Sequence, residues 1–317
     1  MVTSTTAVTA TTTAGSGPPV TNLSCSDRIC TAVAVSQQEF PNGGAKAVVI
    51  ARDDVFADAL TGVPFAAANT APLLLSDPGA LSSVTETEMK RVLPAGGTVY
   101  LLGGTDALST AVSNTVTADG YNVVRIGGID RFATAVLIAQ ALGSPKTLFE
   151  VNGLDFPDAL PAGPAAASVK GAIVLTNGNV QDATTAAFIT SDAPTAKYAL
   201  GGPAAAADPS ATPIVGTDRY GTAAMTAAQF FPKATTVGAS TGLNWPDALS
   251  GGTYMASIDG PILLVDPSDT TAASIPALTA QYLQGLEPGL GLIYTFGGYE
   301  ALPTAVGSAL AAAAASG

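Results

Sequence analysis

The sequence contains no histidine, only two cysteines, 12 lysines and arginines against 24 aspartates and glutamates, and a charged share of just 11%. Each shortage excludes something. Without imidazole there is no Ser-His-Asp or Cys-His nucleophile, no His-ligated zinc, and none of the commonest general base near neutrality. Carboxylate-only or lysine-based chemistry stays open. A net charge of −12 and a pI near 4.2 oppose nucleic acid, because a polyphosphate is bound by replacing its counterions with Lys and Arg. No strictly apolar run reaches the roughly 18 residues that would read as a membrane span. The nearest, Ala305–Ser316, is broken by glycine and serine.

What is present is apolar and small. Apolar residues make up 47% of the chain, which also carries 34 glycines, so it has the material for compact domains with close packing. The opening differs. Thr3–Thr13 is rich in threonine, Gly15–Pro19 follows, and neither a charged start nor a Leu-rich stretch marks Met1–Ala10 as a signal peptide. The composition predicts a tail or linker over residues 1–24.

Four short words recur in the same order three times, at a period of roughly 90–100 residues. The first is Asp-Arg-x-x-Thr-Ala: Asp27-Arg28 with Thr31, Asp130-Arg131 with Thr134, Asp218-Arg219 with Thr222. The second is aromatic-x-Asp-Ala-Leu, carried by Phe56 and Asp58, Phe156 and Asp158, Trp245 and Asp247. An all-apolar strand follows (Ala71–Leu75, Gly171–Leu175, Gly260–Leu264), and the last word is an apolar run closed by Gly103-Gly104, Gly201-Gly202 or Gly297-Gly298.

Helices alternating with short, two-sided apolar strands predict an α/β fold: three tandem Rossmann-like repeats, each with a parallel sheet covered on both faces. The boundaries expected are 25–119, 120–213 and 214–317. The β-branched segment Tyr121–Ile126 can complete the sheet on either side of it. The second repeat has room for only a turn or two of helix after its glycine pair, and the third ends in an Ala-rich helix expected on its own sheet.

Asp27, Asp130 and Asp218 stand where helix N-caps belong. The glycine pairs lack the continuation of a phosphate loop and read as turns needing positive φ. An arginine in a helix's first turn faces the wrong end of the dipole and calls for a partner. For Arg28, Arg131 and Arg219 two arrangements stay open: bidentate bonds to Asp58, Asp158 and Asp247 on the same rim, or an anionic ligand, the two being compatible. The aromatic of the second word is read as a core anchor rather than a sugar platform. Cys25 and Cys30 flank Asp27-Arg28, and their counterparts are small: Gly128 and Ala133, then Gly216 and Gly221. That predicts a Cys25–Cys30 disulfide and an oxidising compartment, and neither cysteine has the further ligands a metal site needs.

These words resemble the type 2 cell-wall-binding repeat of Gram-positive bacterial surface proteins, over Cys25 to about Ala312. The resemblance implies a Toprim-like α/β fold per repeat, an arrangement about a pseudo-threefold axis, and non-covalent, non-catalytic attachment of a surface protein to an anionic cell-wall polysaccharide, without cofactor. Carried over by position, it assigns ligand contact to the arginines and aspartates above. It adds Arg125 in the second copy, where the first offers Asn22 and the third Pro213. A Toprim-type nuclease is not supported, since no Glu plus Asp-x-Asp set is present. The alternative expectation is a structural subunit of an extracellular layer or filament, self-associating through the Thr-rich tail.

Overall fold

The computed structural model describes residues 9–13 and 17–316. The chain opens with β1 (Thr9–Thr13) and β2 (Val20–Ser24), and the first repeat follows as α1 (Arg28–Glu39), β3 (Ala47–Arg52), α2 (Phe56–Ala68), β4 (Leu73–Ser76), α3 (Ser83–Val92), β5 (Thr98–Leu102), α4 (Thr110–Ala118) and β6 (Asn122–Ile126). The second comprises α5 (Arg131–Ala141), β7 (Thr147–Asn152), a 3-10 turn (Pro157–Ala159), α6 (Ala162–Ser168), β8 (Ala172–Thr176), α7 (Ala183–Asp192), β9 (Ala196–Leu200), α8 (Gly202–Ala207) and β10 (Thr212–Ile214). The third comprises α9 (Arg219–Phe230), β11 (Thr236–Thr241), α10 (Pro246–Ser257), β12 (Ile262–Val265), α11 (Ala277–Gly285), β13 (Leu292–Phe296) and α12 (Thr304–Ala314).

Each repeat builds one sheet, ordered β4-β3-β5-β6, β8-β7-β9-β10 and β12-β11-β13-β2-β1. All pairings are parallel except β1 with β2. The fourth strand of every sheet leads directly into the next Asp-Arg word, so each sheet is finished by the segment that starts the following helix. Tyr121–Ile126 therefore completes the first sheet rather than the second.

The same rule closes the molecule into a ring. The third sheet takes its fourth strand from the far end of the chain: β2 pairs with β13 in the register Ile293↔Val20 to Phe296↔Leu23. Residues 20–24, expected as tail, are thus strand. Their burial explains why, since Leu23 is fully buried and Val20 nearly so, and both join the core cluster that includes Leu310. Thr9–Thr13 lies on the outer edge of this sheet, while the rest of the expected tail, 1–8 and 14–16, lies outside the described residues.

Helices α2, α6 and α10 pack on one another at the centre, and each Asp-Arg helix rests on the second-word helix of the repeat before it: α5 on α2, α9 on α6, α1 on α10. Small residues permit this. A Cβ added at Gly163 would meet the Val63 side chain at 2.6 Å. One buried cluster consequently runs through all three repeats, from Val63 and Leu102 through Phe149 to Leu249 and Phe296. The glycine-pair helix of the second repeat, α8, is short as expected, and α12 packs on β2, β13 and α11.

Candidate functional site

The first word is built the same way three times. Asp27, Asp130 and Asp218 cap their helices, each accepting a 2.8 Å bond from the N–H three residues on, of Cys30, Ala133 and Gly221. Thr31, Thr134 and Thr222 hold the approach, accepting from the N–H of Cys25, Gly128 and Gly216 at 3.3, 3.0 and 3.1 Å. Cys25 and Cys30 are joined in a disulfide with a Cα–Cα distance of 5.4 Å. At the two other copies the room is smaller: a Cβ on Gly128 would meet that of Ala133 at 2.4 Å, and one on Gly216 the Gly221 carbonyl carbon at 2.4 Å.

Each arginine is the first residue of its helix, and its partner is a strand-end carbonyl. Arg28, Arg131 and Arg219 donate through Nη1 to the main-chain oxygens of Asp53 (2.8 Å), Gly153 (2.6 Å) and Gly242 (2.5 Å). Among the described residues no ion pair joins them to Asp58, Asp158 or Asp247. The bidentate arrangement is thus replaced by a neutral acceptor that offsets the dipole without consuming the guanidinium's charge. Arg131 also lies 5.8 Å from the centre of the Phe56 ring, and Arg28 lies 5.5 Å from that of Trp245. The second-word aromatic, read from sequence as a core anchor, therefore does two jobs. Trp245 is buried and Phe56 packs on the core, while both form a platform beneath the arginine of the following repeat.

First and second words from neighbouring repeats meet at three seams, each enclosing a pocket. The first, about 340 Å³, brings Asp58, Gly104 and Asp106 against Asp130, Arg131 and Thr134. The second, about 300 Å³, brings Asp158 and Gly202 against Asp218 and Arg219. The third, about 470 Å³, brings Asp247, Gly298 and Tyr299 against Asp27, Arg28 and Thr31. Burial pushes the Asp58 carboxyl up to about 6, partly offset by Arg52 and Arg131. Asp247 is likewise pushed to about 6 by burial, with the Thr31 hydroxyl and Arg28 pulling it down.

The glycine pairs divide their work. Gly103, Gly201 and Gly297 have φ of +92°, +83° and +123°. A Cβ there would lie 2.4, 2.5 and 2.8 Å from a carboxylate oxygen of Asp58, Asp158 and Asp247. Gly104 and Gly202 have space around them, whereas a Cβ on Gly298 would meet the Cys25 carbonyl oxygen at 3.3 Å; all three line the pockets.

Arg125 is engaged by backbone. It donates to the carbonyls of Gly103 (3.0 Å) and Gly104 (2.9 Å), fixing the glycine turn from β6. Asn22 occupies the same register on β2 and reaches the Gly297 carbonyl at 3.2 Å, whereas Pro213 has no side-chain donor. Sequence reasoning missed Arg52, a second cation at the first seam, bonded to Asp54 at 2.5 and 2.7 Å. It also missed the apolar side chains exposed around the seams, Ile129 and Tyr299 above all, at 97% and 73% exposure. Neither belongs to a recurring word, so comparing copies does not reveal them. Among the described residues, no group of three or more Cys, Asp or Glu is placed to hold a metal.

Three α/β repeats closed into a ring, with equivalent pockets at the seams, define a tandem-repeat protein of threefold pseudosymmetry. The chain belongs to the family described as Cell wall binding domain 2, whose model matches residues 22–113, 125–209 and 214–307. It is 30% identical over 247 residues to the N-acetylmuramoyl-L-alanine amidase LytC of Bacillus subtilis, covering 76% of this chain and 49% of that protein. In structure it is similar to Cwp8 from Clostridium difficile, with a TM-score of 0.82 at 25% identity over 93% of this chain and 51% of that one. Cwp6 from the same organism shares the fold, with a TM-score of 0.80 at 24% identity over 93% of this chain and 48% of that one. The chain thus spans about half the length of these relatives.

Proposed function

We propose that the chain is a non-catalytic cell-wall-binding module that holds a surface protein on an anionic wall polysaccharide through its three seam pockets. The observation that carries this reading is the threefold guanidinium. At every seam one Nη1 is held by a strand-end carbonyl, which fixes the arginine beside the pocket, with no salt bridge to it among the described residues. An anionic group entering the pocket meets further donors of a preoriented fork, and exposed Tyr299 and Ile129 offer apolar surface to sugar rings. A single active site has no use for three copies of the same constellation.

The charge balance at the seams sets a condition. The third seam has Arg28 against Asp27, Asp247 and Glu300, and the second has Arg219 against Asp155, Asp158 and Asp218. The first adds Arg52 to Arg131, against Asp58, Asp106 and Asp130. At neutral pH the acids outnumber the arginines. Protonating Asp58 and Asp247 relieves this, so polyanion binding is expected to tighten as pH falls through about 6. Cosedimentation with purified cell walls tests the reading. Binding should drop stepwise as Arg28, Arg131 and Arg219 are replaced by Ala. Unchanged binding of the triple variant refutes the site assignment.

Assembly into a layer through the N-terminal tail is less well supported, because Thr9–Thr13 is paired with the chain's own β2.

A further inference from the structure

A cavity larger than any of the three seam pockets lies away from them. Asp58 sits in the first turn of α2 and Thr70 just beyond its last, so the two ends are separated by about 18 Å at 1.5 Å per residue. At the far end, where α2, α6 and α10 finish together, a cavity of about 870 Å³ is lined by all three repeats. Its walls are mostly small and apolar, with Ala67, Ala167, Ala256 and Leu142 among them. Two charged side chains line it, Glu39 and Lys170, and no ion pair joins them among the described residues.

Glu39 breaks the threefold pattern. Eleven residues after the arginine of each first word stand Glu39, Leu142 and Phe230. Leu142 packs on the core, and Phe230 packs tilted against Phe149 and edge-on against Tyr198. A carboxyl at a position the fold fills with hydrocarbon is unfavourable unless something compensates. The protein supplies one hydroxyl, from Ser257, and burial raises the carboxyl to about 8 in spite of it. The other polar groups on this side are Gln38, Tyr254 and Thr70, with Tyr294 behind, bonded to Tyr254 at 3.1 Å. None carries a positive charge. Lys170 stands on the rim in a left-handed conformation, φ +52°, which fixes where its side chain leaves the backbone.

We propose that this axial cavity binds a small zwitterion, its ammonium group on Glu39 and its carboxylate on Lys170, with a small apolar body against the alanine walls. That is the chemistry of a short peptide with small side chains. Binding transfers the Glu39 proton to solvent, since an ammonium ion stabilises the carboxylate rather than the acid. The site is independent of the wall-binding reading, because it shares no residue with the seams.

Isothermal titration of the full chain with alanyl-alanine at pH 7 tests it. The expected result is saturable binding whose heat changes with the ionisation enthalpy of the buffer, reporting proton release. N-acetyl-alanyl-alanine and alanyl-alanine amide, each lacking one charge, should bind at least tenfold more weakly. Glu39→Gln and Lys170→Met should each lose a similar factor, and the buffer dependence should vanish in the former. Glu39→Leu, which restores the side chain found at 142, keeps the fold and should abolish binding. Absence of saturation, equal binding of capped and uncapped forms, or sensitivity to only one of the two caps overturns the proposal.

Discussion

The seam between the first and second repeats and the seam between the third and first perform the same task with different attachments. At the former the chain runs straight through, from α4 into β6 and on into α5, so the strand that finishes the sheet is tethered at both ends. At the latter the finishing strand, β2, follows β1 rather than a helix of the repeat whose sheet it completes, and is held on β13 by pairing and by the burial of Val20 and Leu23. Both seams nevertheless place an arginine on an aromatic platform and bond it to a strand-end carbonyl. The working geometry is constant while the means of closure varies. The disulfide is found at the seam where the sheet is completed from the far end of the chain, and it links the end of β2 to the first turn of α1.

The largest effect expected from this contrast is that of removing β2. A chain lacking residues 1–24 exposes the edge of β13 and the apolar groups beneath Val20 and Leu23. It should lose cooperative unfolding of the third repeat and aggregate in gel filtration. A chain lacking only residues 1–16 keeps β2 and should retain its melting temperature within a few degrees. If both truncations behave alike, β2 does not close the ring.

Next in size are the glycines. Gly103→Ala and Gly297→Ala combine a positive φ with a Cβ placed 2.4 or 2.8 Å from a carboxylate oxygen, at a cost of roughly 2–4 kcal/mol. Gly104→Ala, whose Cβ meets nothing nearer than a carbonyl oxygen at 3.6 Å, should cost under about 0.5 kcal/mol. Urea unfolding of each variant measures this. A larger loss at 297 than at 103 identifies the seam closed by β2 as the weaker.

Much of this was legible in the sequence because it rests on local chemistry repeated three times. The aspartate caps, the positive-φ glycine and the crowded pair at 25 and 30 each depend on neighbours within a few residues. What was not legible depends on partners far along the chain. Nothing in Val20–Ser24 distinguishes a sheet-closing strand from a tail except Val20 and Leu23, and their partners stand some 270 residues away. The same holds for Tyr121–Ile126, since a β-branched strand does not encode which sheet it joins. The arginines failed differently. Charge suggested carboxylate partners, but the nearer acceptor was a main-chain oxygen, which composition never reveals.

Acidity sharpens the comparison by a smaller amount. Glu39 is raised to about 8, Glu150 to about 7, and Asp58 and Asp247 to about 6, by burial in each case. Each carboxyl binds its proton more tightly folded than unfolded, so stability falls as pH rises from about 4.5 to 8. Asp58→Asn and Asp247→Asn should each flatten the lower part of that slope, one seam at a time. Melting curves between pH 4.5 and 8 that show no decline would contradict the burial assigned to these groups.

Breaking the disulfide should cost at most roughly 2 kcal/mol for so short a loop, less than losing the strand it secures. The effect should depend on how well β2 is paired. Cys25→Ala together with Cys30→Ala should therefore cost more in a chain that also carries Asn22→Ala than in the parent, because both changes loosen the same strand. The equivalent substitution at the continuous seam, Arg125→Ala, removes bonds to Gly103 and Gly104 at about 1 kcal/mol. It should add independently to loss of the disulfide, since β6 is tethered at both ends and shares no partner with β2. A double-mutant cycle measured by urea unfolding separates the two cases. Coupling with Asn22 and additivity with Arg125 is the pattern required if the disulfide serves ring closure, and equal additivity at both seams would reduce it to a local brace of the α1 helix start.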